Sequence, residues 1–285
     1  MSIAGWHTTV GPGRIDIDAP WFRRSHKLEV VHLGQSAVVL RTAGGGRLLV
    51  VTDSSAGLMP DGICMDDVAF PAVRDALNRK TAHGREVTSD QLVSPALAPT
   101  NLRLDPAHPD PEAIDALRLH AARSEHRPAV GMRWGMDPAP IRARSGALAS
   151  AAVGGRAREV GTMLGTLIGA GPGTTPSGDD VIVGVLAGFA LTRQGRAATT
   201  ICSALLPLLP RTTLASRHYL TAATQGRFGE HIHDLALAVA GHTPTELAVD
   251  RARTWGSCSG LDVLSGLLAA AVTGFLTEER IEAIA

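Results

Sequence analysis

Short apolar runs separated by turn residues fill the first hundred positions of the chain. LEVVHL, SAVVLRT and GRLLVVT are rich in β-branched residues or leucine, and GQ and AGGG lie between them. Apolar runs of this length, bounded by glycine-containing turns, are typical of β-strands. Residues 28–52 therefore predict a three-strand meander. RIDIDAP, GICMDD and a segment near Asn101–Leu104 predict further strands, and together they predict a small barrel or sandwich.

From Asp110 onward the apolar residues recur at helical spacing instead. Asp110–Arg123 predicts a helix, and Pro128–Ile141, with its prolines and glycines, predicts a connection. Residues 147–168 predict a single long helix, although internal glycines weaken it. The same spacing predicts further helices at Asp179–Gln194, Thr199–Leu206, Ala215–Gln225, Glu230–Ala240, Thr245–Arg253, Leu261–Thr273 and Glu278–Ile284.

Together these patterns predict an α+β fold. A β-rich N-terminal domain over residues 1–107 precedes a helix and connecting segment over residues 108–147. An α-helical domain over residues 148–285 carries the motifs described below. A chain of 285 residues is long enough to bury a sizeable core, in one large domain or two small ones.

A glycine-rich loop, GAGPGTTPSGDD (Gly169–Asp180), joins two of the predicted helices. A helix N-terminus has unpaired N–H groups and a positive dipole end, and glycines let the backbone approach a ligand closely. The loop therefore predicts a binding site for an anion. It does not fit a nucleotide P-loop, because Asp179 stands where a P-loop has lysine and would repel phosphates. It does not fit the Rossmann fingerprint either, because a predicted helix precedes it.

A helix cap alone is the second interpretation of this loop. Ser177 and Asp180 are three residues apart, as in a capping box, and Pro176 fixes the approach to the turn. A cap accounts for Ser177 and one carboxylate. It leaves the pair of aspartates and the preceding GPGTT without an explanation.

The loop and the helix after it have a second copy in the chain. SGDDVIVGVLAGFA (Ser177–Ala190) aligns with SGLDVLSGLLAAAV (Ser259–Val272). Both copies carry small residues at helical spacing on the aspartate face, which lets helices approach closely. A roughly parallel crossing would bring Asp180 and Asp262 together beside two positive helix ends, and an antiparallel crossing would separate them. Alternatively, the two helices merely reuse a good cap and a close-packing face.

Composition excludes several classes of protein. The 27 Lys and Arg balance the 27 Asp and Glu, and aromatic residues make up 4%, which argues against a nucleic-acid-binding module. The three cysteines are widely spaced, so they indicate neither a disulfide framework nor a zinc site, and they favour a reducing compartment. The N-terminus lacks the features of a signal peptide, and the longest apolar runs, such as VIVGVLAGFAL, are too short to span a bilayer. We therefore expect a cytoplasmic protein without a membrane partner.

The motifs resemble those of a known family. GAGPGTTPSGDD followed by VIVG resembles the G-x-G-x-G-L-T-P-S-G-D-D signature of the AllH-type family, the third subunit of oxamate carbamoyltransferase in allantoin degradation. TTLASRHYLTAATQGRFGE is similar to its T-x-x-S segment, and GSCSGLDVLSG to its second S-G-x-D segment. The resemblance covers residues 148–273. Thr174 replaces the usual leucine, and Ser257 and Cys258 stand where a histidine is often found, so no role for that histidine is carried over.

The resemblance implies transfer of a carbamoyl group between carbamoyl phosphate and a small amide-bearing acid, together with partner subunits. The predicted catalytic residues are Asp179 and Asp180, which can accept hydrogen bonds from an NH2 group, serve as a general base, or hold a divalent ion. The loop supplies backbone and hydroxyl donors for a phosphate or carboxylate. The predicted substrate-binding residues are Gly171, Gly173, Thr174, Thr175, Ser177, Gly178, Ser216, Ser259, Gly260 and Asp262.

Other functions remain open at this level. The sequence is also consistent with a non-catalytic anion-binding or assembly subunit that needs partner chains, or with an amide-bond hydrolase on a related substrate. No cofactor is predicted, and a divalent metal is not indicated. GEHIHD invites a metal interpretation, but His231 and His233 are two residues apart and do not share a helix face. Cys258 is either a nucleophile beside a helix N-terminus or a small packing residue.

Overall fold

The computed structural model of the chain describes residues 13–18, 24–82, 84, 86–93, 97–125, 139–256 and 258–282. The chain divides into two compact units, with the boundary between Leu102 and Arg103. The first unit is built on one sheet and the second on helices, which confirms the predicted α+β class. The finer division at residues 107 and 147 stays a prediction.

The first unit is a half-barrel formed by one mixed sheet. Its strands are β1 (Gly13–Asp16), β2 (Lys27–Leu33), β3 (Ala37–Thr42), β4 (Leu48–Thr52), β5 (Gly62–Met65), β6 (Val87–Thr88) and β7 (Leu97–Thr100). They lie in the order β6-β2-β3-β4-β5-β1-β7. The β4–β5 and β1–β7 pairs are parallel, and the other pairs are antiparallel.

The predicted strands are largely confirmed in this sheet. The meander is β2, β3 and β4, and RIDIDAP and GICMDD supply β1 and β5. The strand predicted near Asn101–Leu104 is wrong, because the strand at that point is β7 and only an isolated bridge follows it, between Arg103 and Arg227. The apolar run is too short there to fix the position of the strand.

A helix in the first unit, α1 (Ala69–Ala82), has no counterpart among the predictions. Asp66 caps it by accepting hydrogen bonds from the backbone N–H groups of Val68 and Ala69 at 3.0 and 2.6 Å. Phe70, Val73 and Leu77 are buried in the core that the sheet forms. Because most of the remaining side chains of α1 are polar or charged, its apolar stripe is narrow and its sequence signal is weak.

Ten helices make up the described part of the second unit. They are α2 (Pro111–Glu125), α3 (Ala139–Arg142), α4 (Arg144–Val153), α5 (Ala157–Leu167), α6 (Ser177–Leu191), α7 (Gly195–Leu205), α8 (Leu214–Thr224), α9 (Glu230–Val239), α10 (Thr245–Thr254) and α11 (Ser259–Glu282). Short 3-10 turns lie at Ser89–Gln91 in the first unit and at Leu206–Arg211 in the second.

Two predicted helix boundaries are wrong. The single helix predicted over residues 147–168 is interrupted between α4 and α5, where Gly155 takes a left-handed φ of +64° that favours glycine. The helices predicted separately at Leu261–Thr273 and Glu278–Ile284 form one helix, α11, through Glu282. Between them stand Gly274, Phe275, Leu276 and Thr277, which α11 accommodates without a break.

The centre of the second unit is the contact between α6 and α11. A Cβ atom at Gly184 would lie 2.1 Å from the carbonyl oxygen of Val263, and one at Gly266 would lie 2.2 Å from that of Val181. A Cβ at Gly188, one turn further on, would meet Leu267 and Ala270. Because contacts advance along both helices together, the crossing is parallel, which is the arrangement that brings Asp180 and Asp262 together.

One helix contradicts the expectation that every apolar run is too short for a membrane. Ser259–Thr277 within α11 is long and apolar enough to cross one, with a mean hydropathy of 1.6. More than half of this stretch, 56%, is buried within the structure. Val263, Leu267 and Ala270 are fully buried against neighbouring helices, so the core accounts for the apolar character of α11.

Candidate functional site

The loop over residues 169–176 is ordered and ends at the N-terminus of α6, as predicted. Ser177 lies next to the cap residue, but the capping-box interpretation of its side chain is wrong. Pro176 precedes the helix, Ser177 is its first residue, and no side chain caps this end. The Ser177 Oγ atom lies instead 3.4 Å from the Sγ atom of Cys258. A helix cap alone therefore does not account for the motif.

The loop leaves part of its backbone unpaired. The N–H group of Gly178 donates to the carbonyl of Ala170 at 2.8 Å, so the prediction that this N–H group binds substrate is wrong. The N–H groups of Asp179 and Asp180 donate to the carbonyl of Pro176. Five other N–H groups have no acceptor within the described residues, and they belong to Gly171, Gly173, Thr174, Thr175 and Ser177. These groups are the available donors of the loop.

Both S-G-x-D motifs use their glycine for close packing. A Cβ atom at Gly178 would lie 1.9 Å from the carbonyl oxygen of Leu167, at the end of α5. A Cβ atom at Gly260 would lie 1.9 Å from the carbonyl oxygen of Ala252, near the end of α10. Each motif helix therefore starts against the end of another helix, and any side chain at these two positions would push it away.

The two motifs meet at their first residues. The hydroxyl of Thr175 lies 3.1 Å from that of Ser259, in addition to the contact between Ser177 and Cys258. Each serine also faces the aspartate of the other motif, since Ser259 lowers the pKa of Asp180 and Ser177 lowers that of Asp262. The predicted convergence of the two segments is confirmed. Ser257, which precedes these residues, lies outside the described residues.

A third helix end joins them. Thr213 caps α8 by accepting a hydrogen bond from the N–H of Ser216 at 3.1 Å, and its hydroxyl donates to the carbonyl of Thr174 in the loop. The Ser216 Oγ atom is buried and makes no hydrogen bond of normal geometry within the described residues. The N-termini of α6, α8 and α11 are thus tied to one loop. Three positive dipole ends face the same small region.

The first aspartate, Asp179, has a structural position. One carboxylate oxygen accepts the N–H of Gly169 at 2.9 Å and the other accepts the hydroxyl of Thr212. The carboxyl is buried, and burial raises its pKa while these hydrogen bonds and Ser216 lower it. Both ends of the loop and the start of α8 are therefore held by one carboxylate.

Asp180 and Asp262 have a different environment. Both are buried, and the Oδ2 atom of each has no hydrogen-bond partner within the described residues. Burial raises the pKa of Asp180 well above its usual value. A hydrogen bond from Ser259 opposes this rise, the charges of Asp262 and Asp179 add to it, and Thr175 lowers the pKa slightly. Unpaired buried polar atoms are costly, which makes these two oxygens candidates for ligand contacts.

Within the described residues, Asp262 has a cation beside it and Asp180 has none. The Nε atom of Arg142, at the end of α3, lies 2.6 Å from Asp262 Oδ1, and the Arg142 side chain is 10% exposed. Burial raises the pKa of Asp262, and Arg142 opposes that rise. Burial also raises the pKa of Tyr219 on α8 to about 12, to which the charge of Asp180 contributes. The surroundings of the carboxyl pair are thus unequal.

Sequence reasoning missed Arg142, Thr212 and Tyr219. Arg142 directly follows the segment predicted as a connection and is one of several arginines there, so nothing in its spacing distinguishes it. Thr212 and Thr213 offered a usable signal, because a threonine three residues before a serine is the spacing of a helix cap.

The described residues contain no group of three or more His, Cys, Asp or Glu that could hold a metal ion. Burial lowers the pKa of His231 to about 3, and nearby His233 adds to this. The His231 ring packs against Trp255, with ring centroids 3.3 Å apart. His231 is therefore a neutral packing residue.

We expect Asp179→Asn to destabilise the protein by about 1–3 kcal/mol. Both oxygens of Asp179 accept hydrogen bonds in the wild type, and in the variant the amide NH2 would replace one of these acceptors with a donor. Urea unfolding measures this, with Asp250→Asn on the exposed surface of α10 as the control. Equal unfolding midpoints for wild type and Asp179→Asn would contradict the structural role.

Comparison with known proteins bears on the same segment. No solved structure matches the chain closely enough to be compared. The model of one protein family, described as oxamate carbamoyltransferase subunit AllH, matches residues 167–271. This match begins at the loop and ends within α11, so it contains all three helix N-termini and both S-G-x-D motifs. Over this segment, residues 167–271, the chain is similar to the AllH family of oxamate carbamoyltransferase subunits.

Proposed function

We propose that the chain binds the substrates of carbamoyl transfer between carbamoyl phosphate and a small amide-bearing acid, at the N-termini of α6, α8 and α11. The convergence of these three helix ends on one loop is the observation that carries the proposal. A helix N-terminus favours anions through its N–H groups and dipole, and three of them favour a ligand with phosphate or carboxylate groups.

The donors of the site suit the leaving group of such a reaction. When an amide nitrogen attacks the carbamoyl carbon, the carbon–oxygen bond to phosphate breaks, and a proton passes from the nitrogen to the phosphate. Negative charge then develops on the phosphate oxygens. The unpaired N–H groups of Gly173, Thr174 and Thr175 and the hydroxyl of Ser216 are fixed donors for that charge.

The carboxyl groups have separate tasks in this proposal. Asp179 holds the loop in place, because both its oxygens already accept hydrogen bonds from the protein. Asp180 contacts the reacting amide or carbamoyl group, because its Oδ2 atom is buried with no partner within the described part of the chain. Ser216, Ser259 and Asp262 line the remaining sides.

The match to the AllH family model supports assembly with other subunits. The family model describes a subunit of oxamate carbamoyltransferase, so we propose that this chain works together with the other subunits of such an enzyme. A chain that binds substrate but turns it over only with its partners is consistent with the same site.

Calorimetric titration of the full chain with carbamoyl phosphate, and separately with inorganic phosphate, tests the binding site. We expect Ser216→Ala to weaken carbamoyl phosphate binding about tenfold, the value of one hydrogen bond to a charged group. Thr221→Ala is the matched control on the same helix, since its hydroxyl bonds the helix backbone at Arg217. Equal affinities for wild type and Ser216→Ala, or no binding by wild type, would overturn the assignment.

Turnover assays with and without the other subunits of the enzyme separate the two roles. Formation of carbamoylated product by the chain alone makes it a complete catalyst. Product only in the presence of partners makes it the binding subunit. Hydrolysis of the amide acid without phosphate would favour the amide hydrolase instead.

A further inference from the structure

Two buried carboxyl groups at the same site differ in the charge that surrounds them. Asp262 is fully buried and contacts the guanidinium of Arg142 at 2.6 Å. Asp180 contacts no cation within the described residues, and it lies close enough to Asp179 and Asp262 for both to act on it electrostatically. One carboxyl is therefore paired with a positive charge, and the other lies among negative ones.

This difference decides which of the two carboxyl groups is ionised and which is protonated. Arginine keeps its proton in proteins, so the buried Arg142 needs an anion beside it, and Asp262 supplies that anion. Two neighbouring buried carboxylates repel each other, so one of them takes up a proton. Asp180 is that group, because burial and its carboxylate neighbours all favour its neutral form.

The outward atoms of the pair then have opposite hydrogen-bonding character. Asp262 Oδ2 is an ionised oxygen that only accepts, while a protonated Asp180 can donate through its carboxyl O–H. Both Oδ2 atoms are buried and lack a partner within the described ranges. Ser216 Oγ, on a third helix, is likewise buried and makes no hydrogen bond of normal geometry within the described residues, which is further support for a ligand at this place.

Building on the proposed function, we propose that Asp180 and Asp262 recognise a primary amide, with Asp180 donating to its carbonyl oxygen and Asp262 accepting from its NH2 group. Arg142 is a positioning residue, because it acts on the ligand only by keeping Asp262 ionised. A primary amide presents an acceptor and a donor side by side, which matches this donor–acceptor pair. Carbamoyl phosphate and an amide-bearing acid both contain that group.

Isosteric ligands test the assignment directly. Pyruvate has the shape of oxamate with a methyl group in place of NH2, and acetyl phosphate stands in the same relation to carbamoyl phosphate. Calorimetric titration of the full chain with each pair gives the preference for the amide. We expect wild type to prefer oxamate over pyruvate by about 30-fold or more, because the methyl group leaves a buried charge unpaired.

The Arg142 variants test the positioning role. Arg142→Met should lower the oxamate-to-pyruvate preference at least about fivefold, chiefly through weaker oxamate binding, since Asp262 loses the charge that keeps it ionised. Arg142→Lys should retain most of the preference, and it also covers the case in which Arg142→Met does not fold. Arg144→Met, on an exposed site two residues further on, is the matched control and should behave as wild type.

The possible results separate the two proposals. If wild type binds neither oxamate nor carbamoyl phosphate, the proposed function fails and the amide assignment fails with it. If wild type binds both members of each pair equally, only the amide assignment fails. If both Arg142 variants weaken oxamate and pyruvate to the same extent, Arg142 is a structural residue and its positioning role is overturned.

Discussion

Asp180→Leu, an apolar substitution of similar size, should lower turnover by about 100-fold or more, whereas Asp180→Asn should stabilise the protein. The loss of turnover follows if Asp180 donates a hydrogen bond to the reacting group, because leucine removes that donor and one well-placed donor commonly contributes that much. The gain in stability follows from burial, which makes ionisation of the Asp180 carboxyl more costly in the folded protein than in the unfolded chain. The Oδ2 atom also has no hydrogen-bond partner within the described residues to offset that cost. Stability and activity trade against each other at many functional sites.

The gain should depend on pH in a defined direction. The pKa of Asp180 is raised on folding, so its contribution to stability is complete below the unfolded value of 3.8 and is lost as the pH rises through the folded value. Asparagine does not titrate. The melting temperature of Asp180→Asn should therefore exceed that of wild type by about 2–4 °C at neutral pH, and by less near pH 4.

Asp250→Asn, at an exposed carboxylate, is again the control for both measurements. An Asp180→Leu variant that retains wild-type turnover with the partner subunits present would remove Asp180 from the site. A melting temperature of Asp180→Asn that falls at neutral pH would show that the ionised carboxylate stabilises the fold, contrary to its surroundings in the structure.

Gly184→Ala and Gly266→Ala should each destabilise the protein by about 3 kcal/mol, at the upper end for an added methyl group in a packed core. Their Cβ atoms would lie 2.1 and 2.2 Å from backbone carbonyl oxygens of the opposite helix, and backbone cannot move aside as a side chain can. The two helices would have to separate, which would also displace Asp180 from Asp262.

Gly161→Ala is the matched control for this prediction. Gly161 lies within α5, and a Cβ atom there would have no neighbour within 4 Å. This variant should be more stable than wild type by about 0.5–1 kcal/mol, because alanine loses less backbone entropy in a helix. Urea unfolding of all three variants checks both signs. If Gly184→Ala unfolds at the wild-type midpoint, the close parallel crossing is wrong.

The strands and helices with a clear period were predictable from the sequence. The meander β2–β4 consists of the expected apolar runs bounded by turns, and α7 to α10 follow the helical spacing of their apolar residues. Helix α1 was not predictable, because its stripe of Phe70, Val73 and Leu77 is narrow and the sheet supplies the partner surface. The break at Gly155 was also missed, because glycine is compatible with both a weak helix and a turn.

The site divides along similar lines. The repeated S-G-x-D motif was visible in the sequence, and its small residues indicated that two helices approach closely. Periodicity does not reveal which groups contact a side chain, so both Asp179 and Asp180 were predicted as catalytic residues. The structure separates them, because Gly169 and Thr212 occupy the oxygens of Asp179. Arg142 came from a helix of four residues, too short to have a period.

The pairing of α6 with α11 has a pseudo-twofold axis between the two helices. Gly184 packs against Val263 and Gly266 packs against Val181, and these two valines occupy equivalent positions in the two motifs. In the same way, Ser177 faces Asp262 and Ser259 faces Asp180. A binding site with this symmetry would suit a ligand whose two ends are alike. Arg142 contacts Asp262 in one half, whereas no cation contacts Asp180 in the other half within the described residues, so the two halves are not equivalent. If the proposed site binds a ligand there, we expect an unsymmetrical ligand to bind in a single productive orientation.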